Sequence, residues 1–430
     1  MSLTTYSKKP IQSLIYVFCL WKIFLLAIVI GSGVGPAYDT SSTLLSPERS
    51  GSSESFSDVA SKLTRWDAIY FVQSSRRGYV YEQEWAFARG LPVLIASIAK
   101  AFTWLGVSNQ DSLEPLIGIS VANVSHLLSA LVLYKLSQVM WENKQVSFVA
   151  AALHILSPAG LFLSAPYSES PFALFTFLGN LFLAKAVLST EPTVAHDISL
   201  VASGLWFAIA VNFRSNGILS GLPFAVELCR EMMSSITVKS IRRRLALMIG
   251  GSALAVGFAV PQFLAYQTFC DGSQGSDLRP WCTKRLPSIY TFVQEHYWNV
   301  GFLRYWTLPN IPLFLLAGPV LYLMTISGLD FISQPRQLGH PLKRALKTPN
   351  HVILVRSMAS IQIVLTVLAI TNYHIQIITR LSSAYPVMYW WLADLITRKD
   401  SVKFTQSVVT FMVMYASIQG ALFASFLPPA

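Results

Sequence analysis

Apolar runs of roughly membrane-spanning length recur along the whole chain. A helix needs about 20 mostly apolar residues to cross a bilayer, because lipid leaves every backbone polar group to be satisfied within the helix. Runs that approach this length lie at 11–33, 113–137, 147–164, 171–188, 198–213, 216–230, 247–267, 311–330, 351–371, 383–397 and 404–425. The pattern predicts an all-α polytopic membrane protein with about 11 transmembrane helices.

The first run is expected to remain in the protein as an anchor. It is longer than the apolar core of a signal peptide, and no obvious small-residue cleavage site follows it. No internal repeat, long linker or soluble module interrupts the chain. We therefore expect residues 1–430 to form a single polytopic domain.

Clusters of lysine and arginine fall on one side of the predicted alternation of spans. They are Lys8, Lys9, Lys135, Lys144, Arg230, Lys239, Arg242, Arg243, Arg244, Arg336, Lys343, Arg344, Lys347, Arg398, Lys399 and Lys403. Because cytoplasmic loops carry an excess of positive residues, this side, with the N-terminus, is predicted to face the cytosol. The loops on the opposite face are then 34–112, 165–170, 268–310 and 372–382.

Four arginines break this bias. Arg65, Arg76, Arg77 and Arg89 all lie in the large first loop, on the face opposite to the predicted cytosolic side. Positive charge at these positions must serve another purpose than orientation.

The composition supports a membrane protein. Hydrophobic residues make up 53% of the chain and charged residues only 12%, whereas a soluble domain has about 25% charged residues. A net charge of +11 can indicate nucleic-acid binding, but here the basic residues stand in short clusters between apolar runs. We expect no nucleic-acid partner.

Two of the four cysteines share one non-cytoplasmic loop. Cys270 and Cys282 lie in a stretch rich in Gly, Ser and Pro, and they could close a disulfide in an oxidising compartment. Two free thiols are the alternative. We expect no metal site, because the loop lacks a second Cys or His pair.

The first loop also carries a candidate general base. Asp67 stands beside Trp66 among aromatic residues whose spacing predicts a short amphipathic helix at the membrane surface. Desolvation tends to raise the proton affinity of such a carboxylate and suits it to general-base work. An interfacial aspartate that caps a helix is the alternative.

Further polar groups stand at other non-cytoplasmic ends of the predicted spans. An arginine at membrane depth, as Arg214 is expected to be, is costly unless it meets an anion or carbonyl groups. Aromatic rings together with hydrogen-bonding groups suit a sugar. These residues are Ser168, Glu169, Arg214, Asn216, Gln294, Glu295, Trp298, Asn299, Arg304, His374, Gln376 and Arg380. Five polar clusters on one membrane face predict a shared site.

The motifs resemble those of the GPI mannosyltransferase II family, endoplasmic reticulum enzymes that add the second mannose during assembly of the glycosylphosphatidylinositol (GPI) anchor. The resemblance rests on Trp66-Asp67-Ala68, Gly78-Tyr79-Val80-Tyr81-Glu82, Tyr167-Ser168-Glu169-Ser170, Arg214-Ser215-Asn216-Gly217, Tyr297-Trp298-Asn299-Val300-Gly301-Phe302 and Thr379-Arg380. One departure is Ala88-Arg89-Gly90, where the family usually has Phe-Pro-Gly.

This resemblance implies a GT-C-type glycosyltransferase in the endoplasmic reticulum membrane. Its donor would be dolichyl-phosphate-mannose and its acceptor a mannosylated GPI-precursor lipid. The product would be α-1,6-linked, formed with inversion on the lumenal side. Neither a metal nor another cofactor is implied, whereas a small accessory membrane subunit is a possible partner.

The resemblance also implies residue roles. Asp67 would be the catalytic base in the first lumenal loop, and Arg214, Arg380 and Arg304 would bind the donor phosphate. Substrate binding would fall to Trp66, Ser168, Glu169, Asn216, Gln294, Trp298, Asn299, His374 and Gln376.

Three alternatives stay open at this point. A related GT-C enzyme could act on another acceptor. A lipid transporter or flippase would also place polar residues at broken helix ends, although it usually has internal repeats. A non-catalytic subunit of a lipid-processing complex is the third.

Overall fold

A computed structural model describes residues 9–32, 54–106, 113–189, 193–271, 279–333, 339, 342–343, 346, 348–399 and 401–427. The predicted first loop and the loop 268–310 are therefore described only in part. The α-helices are α1 (Pro10–Gly31), α2 (Glu54–Leu63), α3 (Asp67–Arg77), α4 (Gly90–Trp104), α5 (Leu113–Trp141), α6 (Lys144–Ile155), α7 (Glu169–Val187), α8 (Val194–Phe213), α9 (Gly221–Met232), α10 (Val238–Phe269), α11 (Ile289–His296), α12 (Ile311–Ser333), α13 (Pro349–Thr371), α14 (Ile378–Leu381), α15 (Pro386–Arg398) and α16 (Val402–Ala424). Short 3-10 helices join several of them, and no strand occurs in these ranges.

Eight helices in the described ranges are long and apolar enough to cross a membrane. They are α1, α5, α7, α8, α10, α12 with the 3-10 turn before it, α13 and α16. The all-α polytopic architecture predicted from the apolar runs is confirmed.

Three of the eleven predicted spans form shorter helices. With 12, 12 and 13 residues, α6, α9 and α15 are about 18–20 Å long, which is less than the roughly 30 Å of the hydrocarbon core. Both α6 and α15 are largely buried and pack on each other. Their apolar side chains therefore face the protein interior, which hydrophobicity alone does not distinguish from lipid.

The centre of the bundle is α7, which packs between α5 and α8, while α8 also packs along α10. The approach of α8 to α10 depends on small residues: a Cβ at Gly204 would lie 2.3 Å from the carbonyl oxygen of Gly250. Ser203 Oγ donates a hydrogen bond of 2.7 Å across to the carbonyl of Gly179 in α7. Small residues and interhelical hydrogen bonds are what holds helices together in lipid.

The two ends of α7 mark two faces of the molecule. At its C-terminal end, Asn350 Nδ2 donates to the carbonyl of Val187 and Asn350 Oδ1 accepts from Arg230. At its N-terminal end, Glu169 contacts Arg214 and Arg380. With 19 residues, α7 separates these ends by about 28 Å. We call the end at Glu169 the site face and the opposite end the basic face.

The described part of the predicted first loop contains more helix than one amphipathic segment at the surface. It contains α3 and also α4, a 15-residue apolar helix that packs against α3, α5 and α8. Gly90 starts α4 in close contact with α8, because a Cβ there would lie 2.7 Å from the carbonyl oxygen of Asn212. The described part of this loop, with α3 and α4, thus belongs to the bundle on the site face.

Candidate active site

A cavity of about 430 Å³ lies on the site face, between the start of α3, the segment after α8 and the segment that leads into α14. Both rings and polar groups line it. The lining includes Trp66, Asp67, Tyr70, Phe87, Tyr167, Arg214, Asn216, Tyr290, Gln294, Trp298, Tyr373, His374, Gln376 and Arg380. These residues come from widely separated parts of the chain, so the cavity exists only in the folded bundle.

Asp67 is the first residue of α3 and points into the cavity. Trp66, directly before it, has a positive φ of 57°, a conformation that residues other than glycine rarely adopt. Asp67 Oδ2 accepts a hydrogen bond of 3.0 Å from Arg380 Nη1. The Asp67 side chain keeps 38% of its surface exposed, so a ligand in the cavity can reach it.

Glu169 contacts two arginines of the cavity from outside the cavity lining. Its Oε1 lies 2.8 Å from Arg214 Nη1 and 3.6 Å from Arg380 Nε. The side chain is 1% exposed, and Oε2 has no hydrogen-bond partner among the described residues. As the first residue of α7, Glu169 also lies where the helix dipole favours an anion. This single carboxylate orients both guanidinium groups.

Arg380 lies over the rings of Phe162 and Tyr167, with 4.8 and 5.4 Å from the guanidinium carbon to the ring centroids. Burial alone would lower the pKa of Arg380, but Glu169 and Asp67 outweigh it and raise this pKa above its ordinary value. The guanidinium therefore stays charged. A permanently charged, planar donor group suits a phosphate.

Amides and rings form an uncharged wall of the cavity. Asn216 Nδ2 donates 2.9 Å to the hydroxyl of Tyr385, and Gln376 Oε1 accepts 3.0 Å from the hydroxyl of Tyr305. The His374 ring stacks on Tyr305, with 4.7 Å between centroids. Burial lowers the pKa of His374, so the ring is neutral at pH 7. The wall therefore offers uncharged hydrogen-bonding groups, as sugar recognition needs.

Besides Glu169, three predicted site residues lie outside the cavity lining. Arg304 forms a surface ion pair of 2.9 Å with Glu295, and both side chains are nearly half exposed. Asn299, with φ of 51°, lies in the turn after Trp298. Ser168 is buried at the start of α7, and its Oγ has no hydrogen-bond partner within the described ranges. The structure thus brings Arg214 and Arg380 to Asp67 but not Arg304.

Several cavity residues were missed in the choice of candidates from the sequence. Tyr167, Tyr290 and Tyr373 line the cavity with their rings, and Tyr167 also donates 3.3 Å to the carbonyl of Arg65. Each stands in or next to a polar segment that did suggest the site. Aromatic residues are common at every membrane interface, so only their neighbours in sequence could have singled them out.

A cluster of hydrogen bonds around Glu82 connects the two large loops of the site face, 34–112 and 268–310. Buried Glu82 accepts hydrogen bonds from Arg279 Nε (2.9 Å), Trp281 Nε1 (2.9 Å) and the hydroxyl of Tyr297 (3.0 Å). Cys270 and Cys282 form a disulfide in the same loop, with 5.7 Å between Cα atoms. Because Tyr297 precedes the cavity residue Trp298, this cluster holds one wall of the cavity in place.

The described residues contain no group of three or more His, Cys, Asp or Glu side chains arranged to hold a metal ion.

Comparison with known proteins decides the family. The family model described as mannosyltransferase (PIG-V) matches residues 11–430. The chain belongs to this family. It is therefore a glycosyltransferase and, more specifically, a mannosyltransferase.

Relatives match over most or all of their length. The protein "GPI mannosyltransferase 2" of Gibberella zeae is 46% identical over 434 residues, covering 100% of both chains. "GPI alpha-1,6-mannosyltransferase 2" of Cricetulus griseus is 31% identical over 384 residues, covering 79% of this chain and 74% of its own.

Among solved structures, the oligosaccharyltransferase of Archaeoglobus fulgidus resembles this chain. The TM-score is 0.50 at 12% identity, and the match covers 99% of this chain and 56% of the archaeal one. The chain thus spans about half the length of that enzyme. At this identity the likeness concerns the fold alone, which is the GT-C type of polytopic glycosyltransferase.

Proposed function

We propose that the protein transfers mannose from dolichyl-phosphate-mannose to the first mannose of a GPI-precursor lipid and forms an α-1,6 linkage. The names of the relatives support the acceptor, and the name of the Cricetulus griseus relative supports the linkage. The observation that carries the proposal is the Asp67 carboxylate beside the Arg380–Glu169–Arg214 cluster in one cavity.

Asp67 is the general base in this proposal. Its Oδ2 is held by Arg380, so Oδ1 takes the proton from the 6-hydroxyl of the acceptor mannose. The hydroxyl oxygen attacks the anomeric carbon of the donor, and the bond from that carbon to the phosphate oxygen breaks with inversion. Holding both reactants in one cavity makes this attack effectively intramolecular.

The departing lipid phosphate takes up the electron pair and gains negative charge. Arg380 and Arg214 stabilise that charge, because guanidinium donors that are already oriented need no reorganisation during the reaction. Glu169 supplies that orientation from outside the lining of the cavity. Arg304 has no place in this step, since it lies in a surface ion pair.

The uncharged wall would hold the two sugars. Trp66 and Trp298 offer ring faces, and Asn216, Gln294, His374 and Gln376 offer hydrogen bonds. We further propose that the site face is the lumenal face of the endoplasmic reticulum membrane and that the N-terminus is cytosolic. The support is the basic face, which carries the arginine-rich start of α10, Arg230 at the end of α9 and Arg398 at the end of α15.

An Asp67→Asn variant tests the base. The amide cannot accept the proton, so mannosyl transfer in microsomes should fall about 10²- to 10⁴-fold, the usual contribution of a general base. Asp58→Asn is the matched control, because Asp58 lies one helix earlier and its side chain, paired with Lys62, is 57% exposed. Full transfer by Asp67→Asn, with radiolabelled dolichyl-phosphate-mannose as donor, would show that the assignment is wrong.

A further inference from the structure

A second cavity of about 570 Å³ lies beside the first, between the end of α3, the start of α4 and the end of α10. Three basic side chains line it: Arg76, Arg89 and Lys100. Tyr79 and Trp85 add aromatic faces, and no carboxylate belongs to its lining in the described ranges. The proposed reaction uses none of these groups.

The positive charge of this second cavity is only partly neutralised. Arg76 pairs with Glu114 at 3.0 Å. Arg89 forms no salt bridge within the described part of the chain; its guanidinium lies over Tyr79 and Trp85, 5.7 and 5.4 Å from the ring centroids. Its buried Nε also has no hydrogen-bond partner there. A cation held in this way on rings presents its remaining donors to an anion.

The basic side chains of the second cavity lie on a face where the charge bias does not predict them. Arg76 and Arg89 lie on the site face, away from the basic face to which the charge bias assigns most clusters of lysine and arginine. Positive residues at a membrane edge attract anionic lipid head groups. Apolar side chains of Val93 and Leu264 line the same cavity, so a lipid can place its head group and the start of its tail there.

The two cavities share their walls. The segment 85–89 separates them: Phe87 and its alanine neighbours line the first cavity, whereas Trp85 and Arg89 line the second. Helix α3 runs along both, with Asp67 at the first and Arg76 at the second. Nine residues of helix at about 1.5 Å per residue place these two positions about 14 Å apart.

We infer that the second cavity binds the phosphodiester of the acceptor lipid. The inference rests on the proposed function and names how the acceptor is recognised. The phosphate of the donor is bonded to the reacting carbon, so it must lie in the first cavity with Arg380. In a glycosylated phosphatidylinositol, by contrast, the phosphodiester lies several sugar rings from the attacking hydroxyl. An anion site about 14 Å from the base fits that separation.

Steady-state kinetics on the purified full-length protein in phosphatidylcholine nanodiscs tests this inference. Arg89→Gln and Lys100→Gln should each raise the acceptor KM about tenfold, the usual effect of one charged hydrogen bond, and leave kcat and the donor KM unchanged. Arg89→Lys should recover part of the affinity. Arg285→Gln is the matched control, because Arg285 is exposed, lies on the loop that follows α10 and lines neither cavity.

An acceptor analogue that carries the same glycan without the phosphodiester tests whether the rise in acceptor KM comes from the phosphodiester or from the glycan. Wild type and Arg89→Gln should use this analogue equally well. A tenfold difference that persists on the analogue, a rise in the donor KM, or a changed melting temperature without any change in acceptor KM would each overturn the inference. Absence of mannose transfer by the wild type would instead refute the proposed function.

Discussion

Glu169 and the two arginines that it contacts show how one buried carboxylate can prepare a site for a phosphate. Without a negative partner, Arg214 and Arg380 would repel each other on the site face. The contacts of both guanidinium groups with the Glu169 carboxylate fix them before any ligand binds. The side chain of Glu169 is therefore a positioning residue, and its effect on the reaction passes through the arginines.

Replacement of this carboxylate should affect both stability and donor binding. Glu169→Gln removes the charge that two partly buried cations share, and loss of one partner of a buried ion pair costs about 3–5 kcal/mol. We expect a lower melting temperature and a fall of about tenfold or more in kcat/KM for the donor. Glu227→Gln is the control, since Glu227 is also buried and pairs with Arg230 on the basic face; it should reduce stability alone. An unchanged donor kcat/KM in Glu169→Gln would contradict the positioning role.

His374 should make the stability of the protein depend on pH. Burial lowers its pKa in the folded protein, so the folded state favours the neutral ring and the unfolded state binds the proton more strongly. Its contribution is complete above the ordinary histidine pKa of about 6.5 and is lost as pH falls through the lowered value. The drop in melting temperature between pH 7.5 and pH 5 should therefore be smaller in His374→Gln than in the wild type. Equal drops in the two proteins would refute this.

At the scale of elements, the Glu82 cluster links the segment before α4 to the disulfide loop after α10. Burial would raise the pKa of Glu82, but hydrogen bonds from Arg279, Trp281 and Tyr297 outweigh it and leave the pKa lowered. A lowered carboxyl pKa stabilises the fold above the ordinary value, and this contribution is lost as pH falls through the lowered value. The cluster is thus intact at neutral pH.

Glu82→Gln should weaken the contacts between the segment before α4 and the disulfide loop after α10. The amide keeps the shape but loses the charge, so Arg279 no longer has a carboxylate within the cluster. We expect a lower melting temperature and a reduced kcat, because Tyr297 then holds the cavity residue Trp298 less firmly. Glu295→Gln removes a carboxylate from an exposed pair in the same loop and should leave both quantities nearly unchanged. Melting temperature and kcat of both variants should be measured in parallel. Equal values for Glu82→Gln and Glu295→Gln would contradict this role of Glu82.

The elements also show which parts of the fold an apolar pattern can predict. The eight long helices follow from their length and hydrophobicity. The positions of α6 and α15 do not, because a buried helix in a protein core and a helix in lipid have the same apolar composition. Helix α4 was not predicted, because its 15 residues fall short of a membrane-spanning run.

For the whole molecule, the orientation of the two faces is open to a direct test. The sequence has one Asn-x-Ser/Thr site, at Asn123, and it lies inside the span α5. Gln274→Asn would create a second site in the loop after α10, and Ser235→Asn would create one on the basic face between α9 and α10. In microsomes, only the first variant should gain a glycan that an endoglycosidase removes. Glycosylation of Ser235→Asn instead would reverse the topology.

The sequence alone already determined the class of protein and the eight long apolar helices, because lipid requires a helix of a certain length and composition and both can be read from a single segment. The bias of basic residues in turn predicted which loops share a face. The motifs around Asp67, Glu169, Arg214 and Arg380 could likewise be recognised one at a time. Their pairing could not. Asp67 and Arg380 are separated by 313 positions and lie 3.0 Å apart, and Arg304, chemically equivalent in the sequence, lies in a surface pair. Which charges meet depends on how α3, α7, α8 and α14 converge, and that packing follows from contacts between distant segments.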